Sequence, residues 1–289
     1  SSHLCSQSNF PGAKAHCRVE GNALHMCRTA IAPRVLSRSV IAIIASMNIA
    51  TDPVTRRPQI ALISTGDELV MPGETPGPDQ IIASNTFGLK AMFDALGAHA
   101  RILPIARDTE QSLRMGFELA ADADLIITIG GASVGDHDLV GTVAGDLGLQ
   151  RSFYKVAMRP GKPLMAGQMK GAAMVGLPGN PVSAMVCGHI FIAPMIITML
   201  GLDLPAVPQL TAPLSAPLPA TAPRQHYMRA HRDDGQITSH THKDHALFSA
   251  LSPANVLLIP PTQDPDTAIA PSETYIPNCP PFLVPNDLG

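Results

Sequence analysis

Residues 124–147 read DLIITIGGASVGDHDLVGTVAGDL, and this stretch decides the fold. Asp124 to Ile129 is a short apolar run of the length a buried strand takes. Two glycines follow at once, then a polar turn, and Asp138 to Leu147 has the pattern of a helix. A strand passing through a glycine-rich turn into a helix is a building block of α/β folds. Glycine lets the backbone approach an anion closely, and the free N–H groups of a helix start bind phosphate. The glycine spacing is not the GxGxxG of dinucleotide-binding proteins.

Working outward, the same alternation recurs. Gln59 to Ser64 (QIALIS) reads as a buried strand, Asn85 to Leu96 as a helix stopped by Gly97, and Ala100 to Ile105 as a strand. Thr109 to Ala121 reads as a helix capped by Asp108. Downstream, Ser152 to Met158, Leu164 to Ala166 and Ala172 to Val175 read as strands, and Asn180 to Leu200 as one long closing helix. Such alternation predicts an α/β domain of three layers, a mostly parallel sheet with helices on both faces. Ligands of such sheets bind beyond the carboxyl ends of the strands.

The two ends differ from this middle. Residues 1–30 show no period, whereas Leu36 to Ala50 reads as a helix capped by Ser37 or Ser39 and ended by Asp52-Pro53. After Gly201 the helical period is lost among prolines. Residues 210–214, 225–230, 236–240 and 255–259 are short strand candidates, which predicts a small all-β domain. The expected division is 1–58 as an N-terminal remnant and linker helix, 59–205 as the α/β domain and 206–289 as the β domain.

Composition removes several function classes. A net charge of −3 argues against a protein held on nucleic acid by general electrostatics. The apolar run Ile190 to Leu200 is too short to span a bilayer. The five cysteines form no CxxC pair or other metal-ligand spacing, and with no leader pattern they fit a reducing cytoplasm. No Ser-His-Asp or Cys-His arrangement is supported by spacing.

Four loops that follow strands carry the chemistry. Ser64, Thr65 and Gly66 lead into adjacent carboxylates, Asp67 and Glu68, a pairing that suits Mg²⁺ through direct or water-mediated contacts; an acidic solvated turn is the plainer reading. Gly130, Gly131, Ser133 and Gly135 supply a phosphate cradle, with Asp136 and Asp138 as helix caps or metal ligands. Arg159-Pro160-Gly161-Lys162-Pro163 places two cations on a rigid turn, suited to phosphate, although surface charges on a turn are common. Pro178, Asn180, Pro181 and Ser183 make a helix start, with Asn180 as cap and Pro181 at the first position. Together these loops predict a cleft for a phosphorylated organic ligand with a divalent metal.

The loops STGDELV.PGE (64–74), QI.ASN (80–85), GGASVGDHD (130–138), VAMRPGKP (156–163) and GLPGNPVSA (176–184) occur in an order that resembles the MoeA-type molybdopterin molybdenumtransferases, including the plant and gephyrin E-domain proteins. The likeness covers about residues 59–200. Arg224 to Ala230 and Ser252 to Asn255 are similar to segments of the family's C-terminal β-barrel-like domain. The resemblance implies a MogA-like molybdopterin-binding fold and a transferase of molybdenum cofactor biosynthesis. Its substrates are adenylylated molybdopterin and molybdate, AMP is released, and Mg²⁺ assists.

By matched position, Asp67, Glu68, Asp108, Asp136 and Lys162 are the implied catalytic groups, and Glu68, Asp136 and Asp138 the metal ligands. Ser64, Thr65, Gly66, Gly130, Gly131, Ser133, Gly135, Arg159, Pro178, Asn180, Pro181 and Ser183 are the implied ligand-binding residues. The family works as a homodimer whose cleft is completed by further N-terminal domains, of which only about residues 21–57 have a counterpart here. The expected alternative is therefore a molybdopterin-binding module without turnover. The adenylyltransferase of the same pathway shares the domain fold, but the RPGKP and LPGNPVSA loops and the β-rich tail favour the insertase.

Overall fold

In the computed structural model, β1 (Gln59–Ser64) is buried on both faces, as a central strand of an α/β sheet must be. Residues 36–131, 138–202, 212–218, 224–239 and 254–260 are described, together with the backbone of 274–278. Two further two-residue strands, β2 (Leu69–Val70) and β3 (Ile81–Ile82), pair with each other in parallel. The remaining strands of this part are β4 (His99–Ile102), β5 (Leu125–Ile129), β6 (Gln150–Tyr154), β7 (Met158–Arg159), β8 (Met165–Met169) and β9 (Ala172–Leu177). With β1, five of them, all but β7, form a six-stranded sheet in the order β4-β1-β5-β9-β8-β6. Pairings β4–β1, β1–β5 and β5–β9 are parallel, whereas β8 runs against both its neighbours. The expected mostly parallel sheet is thus present, with one reversed strand made by the tight Lys170-Gly171 turn, where both residues have positive φ.

Helices α2 (Asn85–Ala95), α3 (Glu110–Leu119), α4 (Leu139–Asp146), α5 (Pro181–Cys187) and α6 (Ala193–Met199) cover the two faces. Alternation along the strands sorts the core. Ile60, Leu62, Leu125, Ile127 and Ile129 pack on one side with Leu89 and Phe93 of α2 and Val182 and Val186 of α5. Ala61, Ile63 and Ile126 face the other side with Leu113 and Phe117 of α3 and Val140 and Val143 of α4. Full burial of a side chain the size of Phe93 or Leu89 contributes about 1.5–3 kcal/mol.

Several elements are shorter or differently built than the sequence predicts. The expected strand 100–105 ends at Ile102, because Pro104 has no N–H to continue the ladder. The expected strand 152–158 is two pieces, β6 and β7, broken at Lys155 with φ 73°. The expected single helix 180–200 is α5 and α6 joined by a π-helical turn, Gly188–Ile192. Pro194 cannot donate to the carbonyl of residue 190, and the ladder widens there. The whole run Pro181–Met199 has mean hydropathy 1.9 over its most apolar window, longer than the apolar stretch read from sequence, and 56% of that window is buried as a core helix. Thr109, rather than Asp108, caps α3 by accepting from Ser112 N–H (3.3 Å). Helix α1 (Arg38–Ser46) is capped by Ser37, ends at Ser46 and buries no residue. Residues 1–35 lie outside the described residues.

In the tail, β10 (Ala212–Pro213), β11 (Gln225–His226), β12 (Met228–Asp233), β13 (Gln236–Ser239), β14 (Val256–Ile259) and β15 (Thr274–Asn278) are described. Five form a sheet in the order β10-β15-β14-β12-β13. A bridge between Leu214 and Ile237 brings the segment after β10 back to β13, and Ser215 N–H donates to the Ile237 carbonyl (2.9 Å). The sheet therefore curls on itself around Leu214, Ala230, Ile237, Val256 and Leu258. Strand β11 pairs with β7, so the tail is hydrogen-bonded to the turn that carries Arg159.

Candidate active site at the carboxyl ends of β1, β5 and β9

From β1 the chain crosses to β4 on one side and then to β5 on the other. The crevice beyond β1 and β5 is thus the switch point where α/β sheets place ligands. A cleft of about 300 Å³ opens there. Ser64, Thr65, Glu68, Gly130, Gly179, Asn180 and Pro181 line it, with the segment from Ile81 to Asn85 forming another wall.

Three loops meet at close quarters around this cleft. Thr65 N–H donates to the Ile129 carbonyl (2.9 Å) and Gly130 N–H to the Leu177 carbonyl (3.1 Å). Gly130 has φ 95°, and a Cβ on it would stand 2.6 Å from the Thr65 carbonyl oxygen. Gly131 also has positive φ and would meet Thr65 and Val140. These glycines are therefore demanded by backbone conformation and by close approach, which is the feature an anion cradle needs. At the third loop Asn180 accepts from Ser183 N–H (3.0 Å) and Ser183 Oγ–H (3.1 Å), with Pro181 opening α5 as expected. Asn85 Nδ2 donates to the Gly179 carbonyl (2.7 Å) and fixes the wall of residues 81–85 to this loop.

The acidic groups gather at the mouth. Asp67 Oδ1 accepts from Asp108 N–H (3.0 Å), so the two residues sit side by side. Partial burial and then the charges of Asp67 and Glu68 push the Asp108 carboxyl above its usual range. Asp138 is spent locally: its carboxylate accepts from Gly141 N–H (2.9 Å) and caps α4, the structural one of its two predicted roles. Ser133, Gly135 and Asp136 lie outside the described residues. A second cavity of about 410 Å³ borders Asp138, lined also by Thr142, Arg151 and Tyr154. The Arg151 and Lys155 cations each stand 5.3 Å from the Tyr154 ring centroid.

Arg159 and Lys162 are exposed on the turn between β7 and β8 and do not line the 300 Å³ cleft. Gly161 between them has φ 104° and lies so near α5 that a Cβ would stand 2.5 Å from Cys187 Sγ. The structure thus brings Ser64, Thr65, Gly66, Glu68, Gly130, Gly131, Asn180 and Pro181 together, with Asp67 and Asp108 at the edge. Pro178 and Ser183 are buried supports just behind. Sequence reasoning left Ser84 and Asn85 out of the site, although their segment, 80–85, was part of the resemblance. It also missed Arg107, whose guanidinium donates to the carbonyls of Asp67 and Leu69 (2.9 Å each).

An α/β domain with its cleft at this switch point is the architecture of a known class. Residues 61–198 match the domain family described as "probable molybdopterin binding domain". The chain is 37% identical over 205 residues to molybdopterin molybdenumtransferase 2 of Mycobacterium tuberculosis, covering 68% of this chain and 50% of that protein. It is 37% identical over 162 residues to molybdopterin molybdenumtransferase of Haemophilus influenzae, 56% of this chain and 40% of that one. The crystal structure of the molybdopterin biosynthesis MoeA protein from Pyrococcus horikoshii superposes with a TM-score of 0.72 at 25% identity, covering 83% of this chain and 59% of that chain. The chain is a homologue of the MoeA-type molybdopterin molybdenumtransferases, and it spans half or less of the length of these two enzymes.

Proposed function

We propose that this chain acts in molybdenum cofactor biosynthesis, as the part of a molybdopterin molybdenumtransferase that binds adenylylated molybdopterin for molybdate insertion with release of AMP. The observation that carries this reading is the cleft in which the Thr65, Gly130 and Gly179 loops converge without Cβ atoms at the crossing points. Backbone N–H groups in such a place can face a phosphate, while the apolar side chains of Ile81 and Ile82 suit a planar ring. Arg159 and Lys162, exposed on the neighbouring turn, are the cations we assign to the anionic substrates, phosphate or molybdate.

Mg²⁺ fits the donor chemistry in one respect. Partial burial, and then the neighbouring charges of Asp67 and Glu68, raise the Asp108 carboxyl, and a cation would relieve the part that comes from like charge. Among the described residues no group of three or more His, Cys, Asp or Glu is placed to hold a metal by itself. Magnesium, however, needs only one or two carboxylates beside substrate phosphates. We therefore assign Glu68, with Asp108 and Asp136, as the residues that would hold it, and Asp138 chiefly as a cap. When bound, the ion would neutralise charge on the departing phosphate. The chain's own residues hold the substrate: glycine loops position the phosphate, and no protein nucleophile is required if water or a molybdate oxygen attacks.

The second reading is a molybdopterin-binding module without turnover, in keeping with the match of residues 61–198 to a probable molybdopterin binding domain. The family's homodimer is the assembly we propose, in keeping with the exposed Ile41 and Ile43 of α1, and the cytoplasm is the proposed compartment. The test is Mg²⁺- and molybdate-dependent cleavage of adenylylated molybdopterin, with Asp136→Asn and Lys162→Ala. Cleavage that both substitutions lower by on the order of 100-fold supports the transferase. Binding without cleavage establishes the module, and no binding removes the site assignment.

A further inference from the structure

Arg107 has no part in the proposed ligand contacts, yet its side chain is hydrogen-bonded to the main chain of the acidic loop. Its Nη1 donates to the carbonyls of Asp67 and Leu69 at 2.9 Å each and approaches that of Gly66 at 3.5 Å. The guanidinium therefore spans the turn that presents Asp67 and Glu68, from inside the bend of its backbone. Its own main chain is anchored: Arg107 N–H donates to Ser112 Oγ (2.9 Å), and Thr109 N–H returns to the Arg107 carbonyl (2.7 Å). The flanking residues knit the same two segments together. Ala106 N–H donates to the Ser64 carbonyl (2.9 Å), Gly66 N–H to the Ala106 carbonyl (3.1 Å), and Asp108 N–H to Asp67 Oδ1.

Three carboxylates, Asp67, Glu68 and Asp108, lie in these two segments, and among the described residues Arg107 makes no ion pair with any of them. Its hydrogen bonds go instead to main-chain carbonyls, which leaves the carboxylates available for other partners. A hydrogen bond from a charged donor is stronger than a neutral one, and the guanidinium presents its N–H groups in fixed directions. Glu68 lines the cleft, and its carbonyl accepts from Ile81 N–H (2.8 Å), so the strapped turn also sets the wall that begins at Ile81.

We propose that Arg107 is a positioning residue: it straps the turn of residues 66–69 so that Glu68 is held at the cleft and the wall from Ile81 to Asn85 stays in register with it. The ligand-affinity part of this proposal rests on the reading of the cleft as the molybdopterin site, whereas the strap itself does not.

The experiment uses the full chain carrying Arg107→Met or Arg107→Lys, with amide hydrogen exchange and adenylylated molybdopterin binding measured side by side. In Arg107→Met, exchange should quicken at least about 10-fold at Gly66, Ile81 and Asp108, while Ile126 and Ile127 of β5 exchange at the wild-type rate. Ligand affinity should fall by on the order of 10-fold. Arg107→Lys, which keeps the charge without the planar fork, should lie between. Unchanged exchange in Arg107→Met overturns the strap. Faster exchange with unchanged ligand affinity overturns the positioning role. Faster exchange in β5 as well would mean general destabilisation and would also overturn it. If the wild-type chain binds no ligand, the functional reading fails, and the exchange rates still decide whether Arg107 holds the turn.

Discussion

Replacing Gly130 by alanine should unsettle the meeting point of all three cleft loops. At φ 95° an L-residue is strained, at a cost of roughly 1–2 kcal/mol. The new Cβ would stand 2.6 Å from the Thr65 carbonyl oxygen, well inside van der Waals contact. Thr65 cannot easily retreat, since its N–H is bonded to the Ile129 carbonyl and it bridges to Ala106 on the other side. Forcing packed backbone aside adds about 1–3 kcal/mol. Gly130→Ala should therefore cost about 2–5 kcal/mol, or roughly 5–15 °C in melting temperature for a domain of this size. Gly145→Ala on α4 is the control: a Cβ there meets nothing within 4 Å, and the helix should gain about 0.5–1 kcal/mol. Urea unfolding followed by circular dichroism measures both. A Gly130→Ala chain within about 0.5 kcal/mol of wild type would refute the reasoning.

Three further outcomes follow from other parts of the molecule. Asn180→Ala removes the acceptor for two Ser183 groups and should cost about 1 kcal/mol, whereas Asn180→Asp should retain most of the cap; urea midpoints separate the two. Burial pushes the His189 imidazole down to about 4 from 6.5. The unfolded chain then takes up that proton first as pH falls, so stability present above about pH 6.5 is lost between there and about pH 4. A His189 ring resonance titrating near 6.5 in the folded chain would contradict this. Burial also pushes the Cys187 thiol up to about 12, so a thiol reagent at pH 8 should modify it on the order of 1000-fold more slowly in the folded chain than in urea, as read by peptide mass spectrometry.

Much of the α/β part was legible because its signals are local. QIALIS and DLIITI are apolar over the length of a strand, and the Asn180-Pro181 pair names a helix start on its own. The less legible features depend on partners distant in sequence. Thr109 takes the α3 cap through its own side chain, while Asp108 is held by its N–H on Asp67 Oδ1, 41 positions away. The two-residue strands β2 and β3 carry too few residues for any period, and they exist because the acidic turn folds back on residues 81–83. Arg107 reads in sequence as one more charge before a helix. Only the adjacency of β4 and β1 brings it beneath the Asp67 turn. The reversed strand β8 had a local cue in Lys170-Gly171, which lies between the strand candidates 164–166 and 172–175 but was not read as a hairpin turn.

The central claim, that the crevice beyond β1, β5 and β9 is where the molybdopterin ligand sits, is tested most directly by a crystal structure of the chain with adenylylated molybdopterin. Ligand density is expected between Thr65, Gly130 and Gly179, with phosphate against the glycine loops and the ring toward Ile81 and Ile82. Density lodged elsewhere, with this crevice left to solvent, would contradict it.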